Sequence, residues 1–410
     1  MNTEKIRADF PVLQRRVNGK PITYLDNAAT SLKPRQVLDA MNRYYTEFTA
    51  NIHRGVHRMS EDASREWEDA HKRVGKFVGA SPEQTIFTRN TTESLNLLMY
   101  SLREQGIFGA GSNIVVTKME HHSNIVPWQF LERKGEAKLE FAGLNVDYTL
   151  DMEDLKKKIN KNTRLVSVMH ASNTVASINP VREIGKIAHE NGALFVVDGA
   201  QAVPHMPVDV KKIGADFYAF SGHKMLGPTG IGVLCGRKEL LEKMPPFLYG
   251  GDMIHEVKLH SATWNVLPYK FEAGTPHIAG GIGLGAAVDY LQRIGMDNVH
   301  AHGKDLTRHA LKVMGELEGR GKIRLYCPKD AEKQGAITMF DALKLQPHEL
   351  ALALDEAENI AIRSGMHCAE PLVSGFNSEG LCRASFYLYN TKEEIDLLAR
   401  TTEKILGAFG

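Results

Sequence analysis

The chain has 410 residues, 43% hydrophobic and 24% charged, enough to bury a large core and to divide into two domains. Its 50 lysines and arginines against 49 acidic residues leave no net field that would favour nucleic acid or an anionic membrane as a partner. No apolar run approaches the ~20 residues of a membrane span, and Met1-Asn2-Thr3-Glu4-Lys5 lacks the long apolar region of a signal peptide, so the expected location is the cytoplasm.

From about Pro21 to His260, short apolar runs alternate with amphipathic stretches, the pattern of βαβ units around a largely parallel sheet. Strands are predicted over 85–88, 113–117, 139–141, 165–170, 194–198, 217–220 and 231–235, and helices over 62–78 and 180–188 between them. The glycine-rich run 279–287 precedes a predicted long helix. It lacks the preceding strand that a dinucleotide fingerprint needs, and reads as close packing at a helix start. Helices mixed with strands at 323–327, 336–341 and 383–389 then predict a second, smaller α+β domain. No repeat, low-complexity tract or linker interrupts the chain.

Four cysteines, at 235, 327, 368 and 382, are too few and too scattered for a disulfide framework or a paired metal motif. Cys235, Cys327 and Cys382 sit in strand-like segments and read as small buried hydrophobes. Cys368 differs. Gly365-Met366-His367 before it and Ala369-Glu370-Pro371 after it read as a loop, where a thiol is open to chemistry.

The turn Ser221-Gly222-His223-Lys224 follows an apolar strand and precedes a glycine-rich one. A lysine so placed suits a Schiff base, which needs a partly desolvated amine at a fixed point, although a solvated or paired lysine also satisfies the pattern. Asp198 ends the apolar run 194–198, and ligands of open α/β sheets bind at the carboxyl ends of strands. It could pair with a pyridinium nitrogen, or serve as a helix cap or half of a buried ion pair. Asn90-Thr91-Thr92-Glu93 opens a helix directly after a strand, which fits a phosphate site as well as a plain N-cap.

Six strings carry a family likeness: LDNAAT (25–30), MEHHSNIVPW (119–128), VDGAQAVPHMPVDV (197–210), FSGHKMLGPTGIGVL (220–234), FEAGTP (271–276) and RSGMHCAEP (363–371). In this order and spacing they resemble the group II, SufS-like cysteine desulfurases, fold-type I pyridoxal-phosphate enzymes, from RADFPVL (7–13) through CRASFYLYNT (382–391). The resemblance implies an α/β fold, with a large domain on a mostly parallel seven-stranded sheet (21–277) and a small α+β domain (1–20 and 278–410) carrying the cysteine loop. It implies pyridoxal 5'-phosphate joined to Lys224, with Asp198 on the ring nitrogen and His121 on the ring face. Asn173 and Gln201 would lie near the ring oxygen, Thr92, Ser221 and His223 at the phosphate, and Thr275 would reach the phosphate of the neighbouring subunit of a homodimer. Arg383 matches the receptor for the substrate carboxylate, and Arg363 is an additional substrate-side contact.

The implied reaction takes L-cysteine to L-alanine, with Lys224 as base and Cys368 taking the sulfur as a persulfide for a SUF-type acceptor or iron–sulfur scaffold. Only a thiolate is a competent nucleophile, which makes His367 and His121 candidates for local help. Selenocysteine lyase, aminotransferase and sulfur-assembly scaffold are the competing readings, and only an aminotransferase has no use for the thiol. Met366, where the family commonly has histidine, and Ala176, where it usually has glycine, depart from the pattern without removing a catalytic group. The segment 346–350 resembles a histidine element of desulfurases that serve a zinc-containing scaffold, and reads equally as an exposed helix start.

Overall fold

The computed structural model describes residues 1–408. Seven strands form its main sheet: β1 (Thr85–Thr88), β2 (Asn113–Thr117), β3 (Lys138–Ala142), β4 (Thr163–Met169), β5 (Leu194–Asp198), β6 (Phe217–Ser221) and β7 (Gly232–Gly236). Their order is β1-β7-β6-β5-β4-β2-β3. β7 runs antiparallel to β1 and β6, and every other pairing is parallel. The apolar runs that predicted these strands arise because a parallel sheet is covered on both faces, and β2 and β6 are buried at every position. Beyond β7, the hairpin β8 (Ile254–Lys258) and β9 (Ser261–Trp264) stands exposed along nearly its whole length.

Helices α1 (Arg35–Glu47), α2 (Arg58–Phe77), α3 (Thr91–Glu104), α4 (Val181–Glu190) and α5 (Ile278–Ile294) accompany the main sheet. α2 buries Ala63, Trp67, Ala70 and Val74, one stripe at helical spacing. The glycine run lies inside α5 rather than before a helix. A Cβ on Gly281 would come within 2.4 Å of the Trp67 ring, and one on Gly283 within 2.8 Å of Met41. Each glycine costs about 1 kcal/mol of helix propensity, and in return α5 presses directly onto α1 and α2. This helix, expected to open the small domain, therefore shares the core of the large sheet, as do Ile6, Phe10 and Leu13 of the N-terminal segment.

The second sheet comprises β10 (Ile323–Leu325), β11 (Ile337–Ala342), β12 (Arg363–Gly365) and β13 (Leu381–Ser385), antiparallel in the order β10-β11-β13-β12. Helices α6 (Met296–Gly319), α7 (Pro347–Glu358) and α8 (Lys392–Ala408) cover it around a separate core that includes Leu306, Phe340, Leu350 and Leu398. β13 ends at Ser385, short of the predicted 389, because Tyr387 and Asn390 bond to each other in a turn, Tyr387 N to Asn390 Oδ1 and Asn390 N to Tyr387 O. Cys327 lies just past β10, in a bend. The segment 23–26 joins this domain: Thr23 and Tyr24 pair with Ile360 and Ala361, and Asp26 bridges Ser385.

Gly232 lies against the start of α3, where an added Cβ would fall 2.4 Å from the Asn90 Cα, a backbone atom that cannot turn aside. Gly232→Ala is expected to lower stability by about 1–3 kcal/mol, read as a lower urea midpoint. A midpoint equal to that of the unaltered protein would contradict this account of the contact.

Candidate active site

The carboxyl ends of the parallel strands deliver one side chain after another to one place. β5 ends at Asp198, and β6 ends at Ser221 and turns through Gly222–Lys224. β1 leads to Asn90 at the cap of α3, β2 to Glu120 and His121, and β4 to Asn173. These ends enclose a cavity of about 180 Å³ that Arg363, His367, Cys368 and Arg383 close from the small domain. Lys224, Asp198, Gln201, His121, Thr92, Ser221, His223 and Asn173 line it with them, so twelve of the thirteen residues singled out in the sequence meet there. Thr275 does not; it stands exposed, outside this cavity. A larger cleft of about 1310 Å³, between α4 and residues 206–214, contains none of the thirteen.

The lysine turn is held from two sides. Ser221 Oγ accepts a hydrogen bond from the Thr91 N–H (2.9 Å) and pairs with Thr91 Oγ1 (2.7 Å), which ties β6 to the first turn of α3. Thr92 Oγ1 pairs with Ser123 Oγ at 2.7 Å, so hydroxyls and helix N–H groups gather where an anion is favoured. On the other side the His223 carbonyl accepts from Ser31 N, Thr30 Oγ1 and Lys33 Nζ. Lys224 Nζ makes no hydrogen bond among the described residues. Desolvation pushes its pKa down to about 8, with Asp198 opposing the shift. Asp198 accepts from the Ala200 N–H (2.9 Å) and joins no ion pair among the described residues, and burial raises its pKa.

The cavity histidines are neutral. Burial, then the charge of Lys224, brings His121 down to about 3, and its Nδ1 is fixed by Ser123 N and Oγ. His223 falls to about 4 for the same two reasons. Gln201 Nε2 donates to the Ala28 carbonyl (2.8 Å). Asn173 Nδ2 donates to the His367 carbonyl (2.8 Å), while its Oδ1 is buried without a partner, an acceptor that a bound molecule would satisfy.

The thiol loop is strained and tightly held. His367 (φ 50°) and Cys368 (φ 56°) are consecutive non-glycine residues in the left-handed region, each at a cost of about 1–3 kcal/mol. Three bonds to two segments hold the loop there: His122 N to Cys368 O (2.7 Å), Asn173 Nδ2 to His367 O (2.8 Å) and Glu370 N to His122 Nε2 (3.0 Å). His367 Nε2 is tied to the Leu381 carbonyl, and burial brings this ring down to about 3. The cationic neighbour of the thiol is therefore neither His367 nor His121. It is Arg363, whose Nη2 lies 3.9 Å from Cys368 Sγ. Burial pushes the other thiols up, Cys235 to about 12, Cys327 to about 11 and Cys382 further, away from reactivity. Met366 packs with Tyr326 and Val373, and Ala176 adopts φ 65°, the conformation for which glycine is suited.

Three residues of this neighbourhood carry no motif role in the sequence. Thr91, rather than Thr92, makes the tie to Ser221. Glu120 is fully buried and accepts from Thr117 Oγ1, Asn124 Nδ2 and the Met169 N–H, joining the ends of β2 and β4 beneath His121; burial raises its pKa to about 8. Asp26 pairs with Arg383 Nη2 at 3.1 Å. The only signal for either acid was a carboxylate within an otherwise apolar or amide-rich string.

A lysine amine, an unpaired strand-end carboxyl and a hydroxyl-rich helix start meet on a seven-stranded mostly parallel sheet, and that sheet matches the fold-type I pyridoxal-phosphate enzymes. The model of the aminotransferase class-V family matches residues 23–398, and the chain belongs to that family of pyridoxal-phosphate enzymes. A probable cysteine desulfurase of Halalkalibacterium halodurans is 48% identical, over 100% of this chain and 99% of that one. A cysteine desulfurase of Haloferax volcanii is 46% identical over 97% and 95% of the two chains. Among solved structures, the apo cysteine desulfurase from Thermococcus onnurineus superposes with a TM-score of 0.93 at 42% identity, covering 99% of this chain and 98% of that one. The cysteine desulfurase CsdA from Escherichia coli, in an S-sulfonic acid form, gives 0.90 at 34% identity, with both chains covered in full.

Asn173→Ala removes one of the bonds that hold the strained loop. It is expected to raise the rate at which a disulfide reagent labels Cys368 severalfold, for a lost bond worth about 1 kcal/mol. An unchanged labelling rate would mean that this bond does not restrain the loop.

Proposed function

We propose that the protein is a cysteine desulfurase, converting L-cysteine to L-alanine and retaining the sulfur as a persulfide on Cys368. One observation carries the reading: a lysine amine and a loop thiol, from different domains, line a single cavity together with two arginines. The names of the relatives agree with it. An aminotransferase would have no use for a strained cysteine loop aimed at its cofactor site.

The residues present fit pyridoxal phosphate, since the Lys224 amine, the Asp198 carboxyl and Asn173 Oδ1 all have capacity that the protein leaves unused. In this reading Lys224 would hold the aldehyde, Asp198 the ring nitrogen and His121 the ring face. Asn173 and Gln201 would hold the ring oxygen, and Thr92, Ser221 and His223 the phosphate. Bound there, the cofactor supplies a sink for the electron pair left when the substrate Cα loses its proton. The two guanidiniums receive the α-carboxylate. Once the substrate amine has taken its place on the aldehyde, the freed Lys224 amine would take the Cα proton, and its lowered pKa gives it a large neutral fraction near pH 8. The Cys368 thiolate, stabilised by Arg363, attacks the substrate sulfur. The carbon–sulfur bond breaks with its electron pair left on carbon, the sulfur stays on Cys368, and the three-carbon skeleton takes up one proton at Cβ and regains one at Cα to leave as alanine.

The working form in this reading is a homodimer, in which Thr275 completes the neighbouring phosphate site. Its support is the exposure of Thr275 and of a hairpin carrying Val257, Leu259 and Trp264 at its surface. A persulfide calls for an acceptor, here a SUF-type protein that feeds iron–sulfur cluster assembly. The cytoplasm suits the reaction: all four thiols are free, and no helix among the described residues is long and apolar enough to cross a membrane. Selenocysteine would react by the same steps.

After incubation with L-cysteine, peptide mass is expected to place one additional sulfur on Cys368; a label confined to Cys235, Cys327 or Cys382 would overturn the assignment. Cys368→Ala should bind cofactor normally yet lose at least ~10²-fold of its alanine production, and turnover at full rate would remove the desulfurase reading. Because only the unprotonated amine attacks an aldehyde, cofactor-free protein should react with pyridoxal phosphate at Lys224 at a rate that rises with pH and is half-maximal near pH 8. A half-rise near 10.5, the value of an unperturbed lysine, would contradict its desolvation.

A further inference from the structure

Arg383 is 1% exposed, and three features surround its guanidinium. Nη1 donates to the Asn173 carbonyl at 2.9 Å, Nη2 donates to Asp26 Oδ1 at 3.1 Å, and Nε is buried without a partner. A guanidinium has five N–H donors, so these two anchors fix its plane and leave donors free for a ligand. Arg363 lines the same cavity, and its charge adds to burial in disfavouring the charged form of Arg383. Asp26 is the only carboxylate within ion-pair distance of either guanidinium among the described residues. At the two arginines themselves, two positive charges and one negative leave a single uncompensated guanidinium, the complement of one carboxylate.

We propose that Asp26 is a specificity residue, cancelling one guanidinium charge so that the cavity accepts amino acids with a single carboxylate and disfavours those whose side chain adds a second anion. This rests on the reading of Arg383 and Arg363 as the carboxylate receptor. Without Asp26 a second anionic group would find a second unmatched guanidinium; with it, the Arg383 charge is already matched by a carboxylate. Asp26 is also tied to the small-domain sheet through its bridge to Ser385, so the negative charge is held beside Arg383 by backbone pairing as well as by attraction.

Calorimetric titration of the cofactor-loaded protein with butyrate and with succinate, a monoanion and a dianion of equal chain length, tests the idea. Asp26→Asn keeps an acceptor oxygen for Arg383 Nη2 and removes only the charge. It is expected to shift the affinity ratio towards succinate by about tenfold, the size of one added charge at a partly shielded site, while Asp26→Glu stays near the original ratio. A purely structural Asp26 predicts the same ratio in all three proteins, and that result would overturn the proposal. Should Asp26→Asn not fold, Arg363→Gln carries the test in the opposite direction: succinate must weaken more than butyrate, and equal weakening is again fatal. The titration needs no turnover. Loaded protein that makes no alanine from L-cysteine would end the desulfurase reading and leave this test standing, whereas an unchanged ratio in an active desulfurase would end the role of Asp26 alone.

Discussion

Parallel pairing of β2, β4, β5 and β6 is the constraint on which this molecule depends. Strands that run the same way end on the same side, and each then passes its next residues to a shared rim. Asp198, Ser221, His121 and Asn173 are separated by up to 100 positions in sequence, yet they meet because the sheet brings four strand ends level. β7, the antiparallel strand, serves the site from behind: the missing side chain of Gly232 lets β1 and the start of α3 close against it.

Electrostatics in the cavity follow from that enclosure. Desolvation is the largest influence on Lys224, Asp198, His121 and His223, and it acts against charge in every case. Histidines so placed serve as neutral rings and hydrogen-bonding groups rather than cations. The cations of the cavity beside Lys224 are two arginines, which resist deprotonation even when buried. Asp26 pairs with one of them.

The small domain contributes geometry that propensity would not produce. Two successive left-handed residues at His367 and Cys368 are unfavourable locally, and they persist because His122, Asn173 and Glu370 fasten the loop to the large domain. The thiol is therefore positioned by contacts across the domain boundary. Movement between the domains would act first on that loop.

The sequence by itself determined the seven strands, to within two residues at each end, because stretches buried on both faces are apolar throughout and glycine or polar turns bound them. It also determined which residue types belong to the site, since lysine, aspartate and cysteine stand in strings too specific for chance. Tertiary structure alone decided the rest. The glycines of α5 became intelligible only against Trp67 and Met41, and β13 stopped early where Tyr387 and Asn390 close a turn. Arg363, not a histidine, became the neighbour of the thiol, and Asp26 the partner of Arg383, across 357 positions of chain. Periodicity registers whether a residue is buried; which charge lies 3 or 4 Å away is set by how two domains close, and no local pattern encodes that distance.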